Sequence, residues 1–131
     1  RFLVPIIVLS LLVAACKKDS DDSLPSDFDG MYSGTFHRTG MDTTDVTLTF
    51  SQNSFEGQSS RAKYPAICHG SFDVEEDFIS FVDSCSWTAD FDWSLILNGS
   101  YSLSFKPDNT IRIWRTNCTI TDEYLLRKRS R

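Results

Sequence analysis

The stretch Cys68-His69-Gly70-Ser71-Phe72-Asp73-Val74-Glu75-Glu76-Asp77-Phe78-Ile79-Ser80-Phe81-Val82-Asp83-Ser84-Cys85 decides the fold. Apolar and polar residues alternate on both sides of an acidic break, which is the period of a half-buried β-strand. A turn centred between Glu76 and Asp77 folds strand 67–74 back on strand 78–85. Val74 then faces Ile79, Phe72 faces Phe81, Gly70 faces Asp83 and Cys68 faces Cys85. Hydrophobic matching and cysteine matching select the same register, and a slip of one residue would turn one apolar set to the wrong face.

The same alternation continues outward along the chain. Upstream, strand 30–38 puts Tyr32, Gly34 and Phe36 on one face. Strand 44–51 does the same with Val46, Leu48 and Phe50, and strand 54–60 with Phe55 and Gly57. A Gln52-Asn53 turn pairs Phe50 with Phe55. Downstream, Trp93, Leu95, Leu97, Gly99, Tyr101, Leu103 and Phe105 alternate without a break, which predicts one long sixth strand kinked at Gly99. Lys106-Pro107-Asp108-Asn109 is a type I turn pairing Phe105 with Ile111 and Leu103 with Ile113. Strand 122–128 turns Tyr124 and Leu126 inward. No window holds a 3.6-residue period. The expected fold is all-β: an antiparallel up-and-down meander of about eight strands closing into a small barrel, which leaves no exposed edge. Ten inward rings would largely fill it: Tyr32, Phe36, Phe50, Phe55, Phe72, Phe81, Trp93, Tyr101, Phe105 and Tyr124.

The 131 residues, with 40% hydrophobic content and a net charge of −5, average two unlike objects. Residues 2–15 read FLVPIIVLSLLVAA. As a helix they cover roughly 21 Å, short of a ~30 Å hydrocarbon core, so a signal-peptide apolar region is the better expectation. Leu12-Val13-Ala14-Ala15-Cys16 resembles the bacterial lipobox. The resemblance implies cleavage before Cys16 and acyl chains on its sulfur, hence a membrane anchor without a spanning helix. Lys17-Lys18-Asp19-Ser20-Asp21-Asp22 is a solvated tether. It also resembles the export signal that sends some Gram-negative lipoproteins to the cell surface. The expected organisation is 1–15 signal peptide, 16–27 lipidated Cys and tether, 28–128 barrel, and 129–131 basic tail. The expected location is the outer membrane of a bacterial envelope, facing out. The body 28–126 carries 6 basic and 14 acidic residues, which excludes a nucleic-acid partner.

Gly30-x-Tyr32-x-Gly34-x-Phe36, the eight-strand meander and the closing Tyr124-Leu125-Leu126-Arg127-Lys128 together resemble the small lipocalin-like lipoproteins. The resemblance spans 28–128 and implies a non-catalytic barrel that binds a small apolar ligand or an envelope protein. The larger lipocalins have Gly-x-Trp in the first strand and a helix after the barrel. Here Tyr32 replaces the Trp and no helix is expected, which argues against a large cavity.

With Cys16 acylated, Cys68, Cys85 and Cys118 remain. The shared register favours a Cys68–Cys85 disulfide outside the cytoplasm, although three pairings are formally open. Cys68-His69 lacks the clustered ligands of a zinc site, so neither metal nor cofactor is expected. Trp87-Thr88-Ala89-Asp90-Phe91-Asp92-Trp93 is the densest aromatic–acid cluster. Trp87 and Trp93 could stack on a glycan while Asp90 and Asp92 accept its hydroxyls, with Tyr101 a further ligand contact. The competing account puts Trp93 in the core and Trp87 as a plug at the barrel end. A structural or inhibitory surface protein with a filled core, and a carbohydrate-binding module that also uses Trp114, are the alternatives. Glu75, Glu76 and Asp77 lack the ligand spacing of a calcium loop. Asp83 points inward beside Gly70. His37 and His69 are isolated, and no catalytic triad or acid pair sits at a recognisable spacing, so no enzyme is expected.

Overall fold

The structure, a computed structural model, describes residues 28–88 and 90–130. The segment 1–15 expected to be a signal peptide, Cys16, the expected tether to residue 27, and Arg131 lie outside the described residues. Eight antiparallel strands follow one another: β1 (Gly30–Arg38), β2 (Thr44–Ser51), β3 (Ser54–Ser59), β4 (His69–Glu75), β5 (Phe78–Asp83), β6 (Gly99–Phe105), β7 (Thr110–Asn117) and β8 (Ile120–Lys128). Each pairs with the next, and β1 closes on β8 into a barrel. This is the expected fold class.

The registers follow the side chains. Phe72 pairs with Phe81, Val74 with Ile79 and Gly70 with Asp83 across β4–β5. Phe50 pairs with Phe55. Phe105 pairs with Ile111 and Leu103 with Ile113. Cys68 and Cys85 form the disulfide that this register implies. The tight Glu76-Asp77 turn is made possible by Glu76 at φ +48°.

Rings fill the interior. Of the ten expected inward rings, eight are buried: Tyr32, Phe36, Phe50, Phe55, Phe72, Phe81, Tyr101 and Tyr124. Successive centroids lie 4.8 to 6.3 Å apart, as in Phe36–Tyr124 and Phe50–Phe81, the spacing of packed aromatic pairs. Phe28, outside every strand, plugs the lower end. Its ring meets Tyr32, Phe50 and Phe72, and its carbonyl accepts the Tyr32 hydroxyl at 2.7 Å. Two glycines permit close strand contact. A Cβ on Gly34 would stand 1.8 Å from the Leu125 carbonyl oxygen, and one on Gly70 would stand 1.9 Å from that of Val82.

The long sixth strand is corrected. β6 begins at Gly99, whose φ of +94° breaks the run. Residues Trp93–Leu95 form a 3-10 turn instead, because the Asp92 carboxylate accepts the Ser94 N–H and caps it. Leu95 and Leu97 are buried as expected, but from a loop that crosses the barrel end. Ala66 bridges this loop in parallel, donating to the Leu95 carbonyl and accepting from Leu97 N. Trp93 is therefore 58% exposed rather than inward. Phe105 holds the inward parity but lies at the lower rim, where it is 51% exposed. The basic tail is also partly tied down, since Arg129 donates its backbone N–H to Met31 and its guanidinium to Ser33.

Candidate functional site

Antiparallel order places the long connections 60–68 and 84–98 at one end of the barrel, the mouth, with the β7–β8 hairpin. Phe28 and the short turns at 52–53, 76–77 and 106–109 lie at the other. At the mouth the inward positions change from rings to charges. Arg38 on β1 pairs in register with Asp122 on β8, which pairs with Arg115 on β7. Strand alternation thus sets three charged side chains side by side over the aromatic core.

Arg38 and Asp122 are 8% and 5% exposed. Their contact is bidentate: Nε donates to Oδ1 at 2.6 Å and Nη2 to Oδ2 at 2.8 Å. Nη1 of Arg38 reaches the Asp92 carboxylate at 3.1 Å and Ser94 Oγ at 2.9 Å, and Nη2 also donates to the Ser94 carbonyl. All five N–H groups are engaged. The Asp122 hydrogen bonds hold the guanidinium pKa above its ordinary value despite burial. Arg38 is thereby a structural clip between the barrel and the 3-10 turn.

Arg115 is held differently. Its guanidinium lies 4.4 Å from the Tyr101 ring centroid. Nη1 donates to the Asn98 carbonyl at 2.8 Å and Nη2 to the Ser94 carbonyl at 3.0 Å. Nε stands 3.7 Å from Asp122. The side chain stays 30% exposed. Each terminal nitrogen keeps one N–H with no partner among the described residues.

These groups floor an open cleft of about 1070 Å³, walled by Asp83, Trp87, Trp93, Asn98 and Arg115 and by the hairpin residues Asn117 and Ile120. Asp83 pairs with Gly70 as expected and is half-buried. Its carboxylate accepts the Trp87 indole N–H at 2.6 Å, and its backbone N–H donates to the Asn98 side chain at 2.9 Å. Trp87, Phe91 and Trp93 run as a line of rings, with centroids 5.7 and 6.1 Å apart. Cys85 also faces the cleft.

The candidate residues separate accordingly. Trp87 and Trp93 come together at the cleft. Asp90 is exposed and outside the cleft lining. Asp92 is occupied by Ser94 and Arg38, and the Ser94 hydrogen bonds lower its pKa. Tyr101 is buried beneath Arg115, and desolvation pushes its phenol up to about 12. It supports the floor and is not among the residues lining the cleft. Trp114 lies on the outer wall with Arg112 4.1 Å above its ring, so the three tryptophans share no surface. Glu75, Glu76 and Asp77 are exposed at the lower end. Cys118 is a free, exposed thiol at the hairpin tip. Cys68, His69 and Cys85 lie close enough to ligate together, but both sulfurs are held in the disulfide.

Sequence reading missed Arg38, Arg115 and Asp122. The signal was present, because extending the Tyr32–Phe36, Ile111–Ile113 and Tyr124–Leu126 alternations by one step reaches each of them. Comparison with protein families, curated proteins and solved structures finds no match to this chain.

Proposed function

We propose that this protein is a lipid-anchored cell-envelope barrel, without catalytic role, that binds a ligand or partner at its mouth. One observation carries the second half. The interior is packed with rings, while the mouth holds an open cleft with an exposed indole and an incompletely engaged guanidinium. A ligand enclosed by the barrel, as the lipocalin-like resemblance implies, has no comparable support. The anchor rests on Leu12-Val13-Ala14-Ala15-Cys16 and the charged run behind it. The disulfide agrees with a compartment outside the cytoplasm. The described chain begins at Phe28, at the end opposite the mouth. Surface exposure on an outer membrane is the location this reading favours.

Native mass spectrometry of the protein purified from its own envelope tests both halves. The expected result is a chain starting at an acylated Cys16, with a retained ligand displaced by substitution at Trp93 or Arg115. An unmodified Cys16 overturns the anchor. A retained ligand insensitive to both substitutions overturns the mouth.

A further inference from the structure

Resting on the mouth reading, we infer that the cleft takes a neutral glycan, with Trp93 as its stacking platform and Arg115, Asn98 and Asp83 as its hydroxyl partners. Three features of the cleft select this chemistry.

The first is charge. Arg38 and Arg115 are matched by Asp83 and Asp122 in the lining, and Asp92 stands behind Arg38. The cleft therefore offers no net positive field to a phosphate, sulfate or carboxylate ligand. The body around it carries 6 basic and 14 acidic residues, which repels anions further.

The second is unmatched hydrogen-bonding capacity. Arg115 keeps two N–H groups, one on each terminal nitrogen, and the Asn98 side-chain amide NH₂ has no partner among the described residues. One Asp83 oxygen takes the Trp87 indole, and the other has only a 3.5 Å contact from Cys85 N. Donors and an acceptor thus stand together at the cleft wall. An apolar ligand would strand them away from water at a cost of a few kcal/mol. Vicinal hydroxyls, each both donor and acceptor, suit this mixture.

The third is the ring surface. Trp93 is 58% exposed and caps the line that runs through Phe91 to Trp87. An exposed indole offers a flat apolar face to the C–H side of a sugar ring. Arg115 is already fixed by two carbonyls and the Tyr101 ring, so little conformational freedom remains to be lost on binding. The volume of about 1070 Å³ is at the upper end of small-molecule pockets, room for a short oligosaccharide rather than one sugar.

The purified protein is titrated with cellotriose, mannotriose and N,N′-diacetylchitobiose, and separately with glucuronic acid, inorganic phosphate and laurate. Calorimetry and tryptophan fluorescence read the binding. At least one neutral oligosaccharide is expected to bind. Trp93→Ala should weaken it roughly tenfold, and Arg115→Lys, which keeps the charge and loses the fork, by about fivefold. Trp114→Ala, on the outer wall, should leave affinity unchanged, and Trp93→Phe should restore part of what Trp93→Ala removes. Failure of all three saccharides overturns the glycan proposal. So does binding that ignores Trp93 and Arg115. If phosphate or laurate binds instead and depends on Trp93, the glycan is excluded while the mouth reading stands.

Discussion

Asp122→Asn tests the charged floor of the mouth. The substitution removes the negative charge that both Arg38 and Arg115 face. It also turns one of the two acceptors of the Arg38 fork into a donor. Arg38 cannot compensate by turning to water, because its side chain is 9% exposed. Breaking a buried ion pair from one side typically costs 3–5 kcal/mol, since the remaining charge stays desolvated. Asp92 and Ser94 still face the same guanidinium, which places the expected loss near the low end, at about 3 kcal/mol. For a body of this size that corresponds to roughly 12–24 °C in Tm. Urea unfolding followed by far-ultraviolet circular dichroism measures it. Asp92→Asn is the internal comparison: its side chain is 59% exposed, so its pair with Arg38 should contribute less than about 1 kcal/mol. The double variant Arg38→Met with Asp122→Leu removes both charges together and should lose much less than Asp122→Asn alone. A loss below 1 kcal/mol for Asp122→Asn, or an equal loss for Asp92→Asn, would refute the buried clip.

Other outcomes follow from the packing. Gly34→Ala sets a Cβ 1.8 Å from the Leu125 carbonyl oxygen at the β1–β8 closure and should cost about 3 kcal/mol. Gly40→Ala meets nothing within 4 Å and should cost only about 1 kcal/mol, from its φ of +79°; thermal melts compare the two. Reducing Cys68–Cys85, with a sequence separation of 17, should lower stability by roughly 3 kcal/mol, read as a shift in urea midpoint with and without reductant. The Tyr101 phenol is held at about 12 against an ordinary 10.0. Above pH 10 the unfolded chain loses this proton and the folded chain keeps it, so stability is full below pH 10 and falls up to pH 12, by a few kcal/mol. Tyr101→Phe should flatten that part of the alkaline profile, and parallel wild-type and variant profiles would contradict the cause.

The barrel was legible because strand alternation, ring pairing and cysteine matching agree from Gly30 to Leu126. Each local choice supports the same register, which is the condition for one fold to win. The same alternation misled at Trp93, Leu95 and Leu97. Two buried leucines two residues apart fit a strand and equally fit a loop pressed onto a core, and only the Asp92 cap and the φ of Gly99 separate these cases. Asp92 looked like a free acceptor for the same reason, since its partner Arg38 is 54 residues away. Phe28 plugs the barrel from outside any periodic segment, so no pattern announced it. The mouth charges obey the alternation but do not stand out in the sequence, because charged residues at strand ends ordinarily face water. The line of Trp87, Phe91 and Trp93 was visible as composition, and its separation from Trp114 follows only from strand parity in the folded barrel.

A ring-filled interior confines binding to the mouth. Titrating the protein with laurate while recording aromatic ¹H–¹³C spectra separates the two places. The rings of Phe50, Phe81 and Tyr124, each at most 2% exposed, are expected to keep their shifts throughout, with any response confined to Trp87 and Trp93. Saturable shifts of Phe50, Phe81 and Tyr124 would show a ligand inside the barrel and contradict it.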